Sequence, residues 1–287
     1  MKPSANPSLN PLQFYARQWG MTALPFTDLC DESWLETATI QRAGELFEQT
    51  TLLRGLMLLA GTNGSGKSTL VGRWLRQLDQ RLFCPLALTH ASLTGSSILS
   101  SLTLKLGKPA SMRRERNLLA IEQALAELER RTLVVVMDEA QNYSHGALEE
   151  IRLLLGLNLP ERPTFALILV GDDYLLGTLR LRHHRALFSR ISCHYELRPW
   201  TMAEIAGYLE KSLASVGIAR QVFDPAAVEL LAAASGGIPR SLQILARTAW
   251  IEAASEKAQG VLPIHVQKAI DQVPYAPGKQ MNPQELP

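Results

Sequence analysis

The stretch Gly61-Thr62-Asn63-Gly64-Ser65-Gly66-Lys67-Ser68-Thr69 fits the pattern G-x-x-x-x-G-K-[ST]. An apolar run, Leu56-Met57-Leu58-Leu59-Ala60, leads into it and predicts a buried strand. Leu70, Val71, Trp74, Leu75 and Leu78 follow at helical spacing. Strand, glycine-rich turn and helix together make a phosphate-binding loop. The glycines let the backbone curl until several N–H groups point inward at phosphate oxygens. The N-terminus of the helix adds partial positive charge. Lys67 is placed to reach β- and γ-phosphates, and the Ser68 hydroxyl to ligate magnesium.

A second run, Leu133-Val134-Val135-Val136-Met137, is β-branched and apolar and ends in Asp138-Glu139. It reads as a buried parallel strand. In such sheets ligands gather at the carboxyl ends of the strands, so both acids are expected beside the phosphate loop. Asp138 would hold magnesium, directly or through water, and Glu139 would orient and deprotonate an attacking water. Phe165 to Val170 is a further strand, ending at Gly171-Asp172-Asp173. Leu86 to Thr89 and His194 to Leu197 are shorter ones. CxxC, HExxH and GxSxG patterns are absent from the sequence, which leaves metal-hydrolase and serine-hydrolase readings without support.

From Thr201 onward only helices are expected. Thr201 and Glu204 form a capping box, and Asp224-Pro225 and Pro239 mark further helix starts. The expected division is an irregular aromatic segment over 1–35, an α/β core over 36–200, a helical region over 201–273 and a Pro-rich flexible tail over 274–287. Most of the first segment is expected to cover apolar surface, and part of it to line an adenine pocket.

The polar start Met1 to Pro7 has no apolar stretch of a signal peptide. No apolar run approaches the roughly 18 residues of a membrane span. Cys30, Cys84 and Cys193 are scattered, which fits free thiols in a reducing, cytoplasmic setting. The formal charge of +2 is too small to point to nucleic acid. Local basic clusters must carry any such reading. One holds Lys105, Lys108, Arg113, Arg114 and Arg116. Another holds Arg180, Arg182, His183, His184, Arg185 and Arg190.

Taken in order, these motifs resemble the AAA+ ATPases, in the branch of the ExeA/GspA-type secretion ATPases and the transposition regulators TnsC, TniB and MuB. The resemblance covers roughly 12–272. It rests on the aromatic stretch Phe14 to Phe26, Gly61 to Ser68 and Asp138-Glu139-Ala140-Gln141. It continues through Leu148 to Leu154, Val170-Gly171, Ser189-Arg190-Ile191 and Ser235 to Arg240.

The resemblance implies a five-stranded parallel sheet flanked by helices, an all-α lid from about residue 201, ATP with Mg2+, and hydrolysis to ADP and phosphate. It implies that Arg190 is an arginine finger offered to a neighbouring subunit, with Arg185 as the alternative, and that Arg240 is sensor 2 within its own subunit. Asp172 falls at the sensor 1 position, where relatives carry a neutral polar residue; an acid there would be repelled by γ-phosphate.

For partners, the resemblance implies duplex DNA, a transposase and a targeting factor, with the protein assembled into a ring or helical filament and no membrane association. The expected DNA contacts are phosphate-directed, from Thr94, Ser97, Lys105, Lys108, Arg113, Arg114 and Arg116. The secretion reading ranks second, because such ATPases continue into a membrane span and a cell-wall-binding domain, whereas this sequence runs into a short Pro-rich tail. A nucleotide-gated adaptor that barely turns over ATP ranks third, opposed by Glu139.

Overall fold

A computed structural model describes residues 11–27, 33–89, 94–157, 165–274 and 277. Met1 to Pro7, Cys30, Ser92-Leu93 and all of the 275–287 tail except Pro277 lie outside the described residues. The chain divides into two units, one of residues 38–198 and one combining 1–37 with 199–287.

The first unit is a parallel sheet between helices. Its elements are α2 (Ala38–Leu53), β1 (Leu56–Ala60), α3 (Lys67–Gln77), β2 (Phe83–Leu88), α4 (Gly95–Lys105), α5 (Arg114–Glu127) and β3 (Thr132–Met137). Then come α6 (His145–Leu154), β4 (Phe165–Val170), α7 (Asp173–Leu179), α8 (Arg185–Phe188) and β5 (Ile191–Glu196). The strand order is β2-β3-β4-β1-β5, all pairs parallel. The three central strands are buried throughout apart from the first residue of β3, as parallel strands covered on both faces must be.

Alternation divides their side chains. Leu56, Leu58, Leu133, Val135, Met137, Leu167 and Leu169 join a core with Leu99, Ile121, Leu148 and Leu175. Met57, Leu59, Val134, Val136, Ile168 and Val170 are buried on the other face. The ring of Phe47 on α2 meets Trp74 on α3 at 4.9 Å between centroids. The predicted face of α3 is buried at Leu70, Val71 and Trp74. Burying side chains of this size stabilises the fold by about 1.5–3 kcal/mol each.

Register brings the carboxyl ends of β1, β4 and β3 level. Leu59 pairs with Val170 and Met137 with Leu169, and Gly171 N donates to Leu59 O at 3.0 Å. The phosphate loop, Gly171-Asp172 and Asp138-Glu139 therefore emerge side by side.

The second unit is helical. It holds α1 (Pro11–Gln18), α9 (Met202–Ala214), α10 (Pro225–Ser235), α11 (Pro239–Ser255) and α12 (Pro263–Gln272). Thr201 and Glu204 make the expected capping box, and Asp224 caps α10 by accepting from Ala226 N at 2.9 Å. The N-terminal segment differs from its expected irregular form. It contains a helix, and its aromatics enter the core of this helical unit. Trp19 meets Trp250 edge-on at 6.2 Å, and Phe26 lies 5.8 Å from Phe223 and 6.2 Å from Tyr208. A helical unit this small gains apolar burial by recruiting these large rings.

Candidate functional site

The loop after β1 adopts backbone angles that side chains resist. Gly61, Gly64 and Gly66 have φ of 153°, 85° and 94°. At Gly61 a Cβ would lie 3.0 Å from both Leu197 O and Ser65 Oγ. At Gly66 a Cβ would meet nothing within 4 Å, so glycine is needed there for conformation, with open space beside it. Among the described residues the buried Ser65 hydroxyl has no hydrogen-bond partner. Ser68 is exposed, Thr69 is half-buried, and Thr62 and Asn63 are exposed on the outer turn.

Lys67, only 8% exposed, folds back so that Nζ donates to Gly61 O at 2.7 Å and Thr62 O at 3.1 Å. Burial lowers its pKa below the usual 10.5, opposed by the charges of Glu139, Asp138, Asp172 and Asp173. An open glycine cradle, an orphaned buried hydroxyl and a desolvated ammonium surrounded by acids fit a phosphate chain with a divalent cation.

At the tip of β3, Asp138 Oδ1 accepts from Glu139 N at 2.9 Å. Among the described residues its other oxygen takes no hydrogen bond, and with Ser68 it could hold magnesium. The buried Tyr143 hydroxyl donates to Asp138 O at 3.2 Å. Glu139 sits at φ 54°, ψ 35°, a left-handed conformation that costs a non-glycine residue about 1–3 kcal/mol. Its Oε2 accepts from Gln141 Nε2 at 2.7 Å, and buried Gln141 Oε1 has no partner among the described residues. Gln141 belonged to the quoted Asp-Glu-Ala-Gln motif, but its type alone did not reveal this contact.

Asp172, at the tip of β4, caps α7 by accepting from Tyr174 N at 3.0 Å. Its charge also acts on Lys67. Arg190 follows α8, half-buried, and its guanidinium donates to the Arg152 carbonyl near the end of α6. Arg185 is exposed. Arg240 is exposed in the first turn of α11, in the helical unit.

The expected DNA residues separate into two kinds. Thr94 and Ser97 close the N-terminus of α4 on each other, with Thr94 N donating to Ser97 Oγ at 2.7 Å. Lys108 pairs with Glu127 at 2.5 Å, and Arg114 pairs with both oxygens of Glu150 at 2.7 and 3.0 Å. Lys105, Arg113 and Arg116 are exposed and enter no ion pair among the described residues. Buried Asn117 fixes the intervening loop by accepting from Ser111 N at 2.8 Å and donating to Ser111 O at 2.9 Å. Its partner lies six residues away across the loop, so residue type alone concealed that role in the sequence.

Among the described residues, no helix is long and apolar enough to cross a membrane. Residues 51–179 match the family model of an AAA domain. The chain is 32% identical over 204 residues to general secretion pathway protein A of Aeromonas hydrophila. That alignment covers 69% of this chain and 37% of the relative, so this chain spans well under half of that protein.

Its fold is similar to that of the ORC2 protein of Aeropyrum pernix with ADPNP and ADP, at TM-score 0.62 and 17% identity, covering 89% of this chain and 71% of that one. The ORC1 protein of Aeropyrum pernix in complex with DNA gives TM-score 0.62 and 20% identity, covering 85% and 68%. The RuvB Holliday junction branch migration motor of Thermotoga maritima gives 0.54 and 19%, covering 86% and 72%. With its five parallel strands, its phosphate loop and the matched AAA domain, this chain is built on an AAA+ P-loop ATPase domain.

Proposed function

We propose that this domain hydrolyses ATP at a site completed by an adjoining copy of the chain, and that turnover switches an assembly on and off duplex DNA. The observation that carries the hydrolytic part is the convergence of buried Lys67 and Asp138 and half-buried Glu139 at the carboxyl ends of β1 and β3, which flank β4. Lys67 and the loop N–H groups, from Gly61 to Thr69, hold the phosphates. Ser68 and Asp138 hold magnesium, which would neutralise charge on the phosphate oxygens. Glu139 accepts a proton from water as its oxygen bonds to the γ-phosphorus and the bond to the ADP oxygen breaks.

Arg190 leaves its own Arg152 carbonyl to serve the neighbour's phosphate, and Arg240 acts in its own subunit. Asp172 serves first as the cap of α7. Glu139→Gln tests the hydrolytic reading: turnover is lost while nucleotide binding is kept. Unchanged turnover would instead favour a nucleotide-gated adaptor.

Exposed Lys105, Arg113 and Arg116 support the DNA part, as does the fold shared with DNA-associated ORC1. In this reading assembly on DNA marks a target for a transposase with a targeting factor. A steep loss of DNA affinity with added salt is the expected result; a flat titration would remove it.

The 32% match to general secretion pathway protein A favours a second reading, an ATPase of secretion-apparatus assembly. Fractionation separates the two. Recovery with the inner membrane supports secretion, and recovery with nucleoid DNA supports the first.

A further inference from the structure

Three imidazoles that have no part in the nucleotide site converge on one another. His145 opens α6, just after its Ser144 cap. His183 and His184 lie in the single tight turn Arg182–His184 that precedes α8. His145 Nδ1 is 2.7 Å from His184 Nε2 and 3.0 Å from His183 Nε2, and the three nitrogens lie within 4.8 Å of one another. His184 is buried, at 3% exposed, while His145 and His183 open to solvent.

Hydrogen bonding satisfies this arrangement poorly. A neutral imidazole offers a single lone pair at Nδ1, yet two ring nitrogens approach His145 Nδ1. Adding a proton makes matters worse, because the ring centroids stand only 4.3–5.0 Å apart. One cation, by contrast, accepts a lone pair from each ring.

We propose that His145 Nδ1, His183 Nε2 and His184 Nε2 form a binding site for a divalent transition-metal ion of the zinc class, separate from the magnesium of the nucleotide site. Imidazole ligands suit zinc, nickel and copper, and disfavour magnesium and calcium. Metal–nitrogen bonds of about 2.0–2.1 Å in tetrahedral geometry put ligand nitrogens about 3.3 Å apart. The 2.7 and 3.0 Å pairs must open by about 0.6 and 0.3 Å to reach that spacing, and the two exposed side chains have room to do so. The open side leaves a position for water or another ligand.

The bound ion would fasten the Arg182–His184 turn to the start of α6. Arg190, on the same segment, is bonded to the Arg152 carbonyl near the end of that helix. While Arg190 keeps that bond, the segment leading into β5 would be braced on α6 at both ends; once Arg190 turns to the neighbour's phosphate, the ion would hold it at one end.

The test uses untagged full-length protein stripped with chelator, titrated with Co2+ in millimolar Mg2+ and followed by visible absorption. The expected result is one equivalent of Co2+ with d–d absorption, displaced by Zn2+. In His183→Ala the affinity should fall by about tenfold or more, and His145→Ala with His183→Ala should bind none. Both rings are exposed, and circular dichroism confirms that these variants fold. Ser68→Ala, which alters only the magnesium site, should bind Co2+ as the parent does. Absence of Co2+ uptake, equal uptake by the double variant, or loss of uptake in Ser68→Ala would each overturn the proposal.

Discussion

Gln141 donates from its side-chain nitrogen to Glu139 Oε2 at 2.7 Å, two residues along the chain from a glutamate held at positive φ. The short helical turn Ala140–Asn142 sets this distance. Buried Gln141 Oε1 has no partner among the described residues, so the bond to the carboxylate is the contact that orients the amide. Gln141 is thus a positioning residue for the proposed base. Glu139→Gln, which keeps the shape of the side chain, is expected to lower kcat by about 10²–10⁴-fold with nucleotide affinity retained. Gln141→Glu places a second acid against Glu139. It should lower kcat with KM little changed and shift the acidic limb of the pH–rate profile upward, as paired carboxylates do. A Gln141→Glu enzyme with the parent's pH profile would contradict the positioning role.

The Lys67 ammonium is desolvated, so it loses its proton at lower pH than an exposed lysine. Bound phosphates favour the charged form and raise that pKa, so nucleotide binding takes up a proton once the free site has begun to deprotonate. Affinity should therefore weaken with rising pH before the ordinary lysine value of 10.5 is reached. Calorimetric titrations in buffers of different ionisation heat, from neutral pH upward, measure both quantities. Constant affinity and no proton uptake up to that value would contradict it.

Asp172 combines a structural and an electrostatic effect, and Asn separates them. Asparagine caps a helix about as well as aspartate, so Asp172→Asn should leave thermal stability nearly unchanged. Removing the negative charge that acts on Lys67 should tighten ATP binding by several-fold, measured with a fluorescent nucleotide. Unchanged or weaker binding would show that the acid does not oppose the phosphates.

Among the basic residues near α4 and α5, pairing predicts which ones meet DNA. Replacing exposed Lys105, Arg113 and Arg116 by alanine should reduce the slope of log affinity against log salt by about 0.9 for each DNA phosphate no longer neutralised. Arg114→Ala should act mainly on stability, because it strands the half-buried Glu150 carboxylate. If Arg114→Ala changes the salt slope as much as the exposed set, the division is wrong.

Much of the site could be read from sequence because its elements are local. Leu56–Ala60, the glycine loop and the helix that follows are contiguous, and each residue type answers to backbone geometry or phosphate chemistry. The Thr201–Glu204 and Asp224–Pro225 caps were legible for the same reason. What stayed hidden depends on distant partners. The strand order places β4 between β1 and β3, a relation no local window contains. Trp19 finds Trp250 and Phe26 finds Phe223 across most of the chain. His183 and His184 read as part of a basic run until the fold brings His145 against them. Arg114 and Lys108 read as free charges until Glu150 and Glu127 appear beside them.

A site shared between copies makes its strongest demand when each copy is deficient in a different part. Glu139→Gln and Arg190→Ala should each be nearly inactive, the latter by about 10³–10⁵-fold. Mixed in equal amounts, they create interfaces in which an intact Glu139 on one copy meets an intact Arg190 on the next. ATPase activity of the mixture should then return to about a quarter of the parent's, the share of such interfaces under random head-to-tail assembly. A mixture no more active than the average of its two inactive components would contradict the shared site.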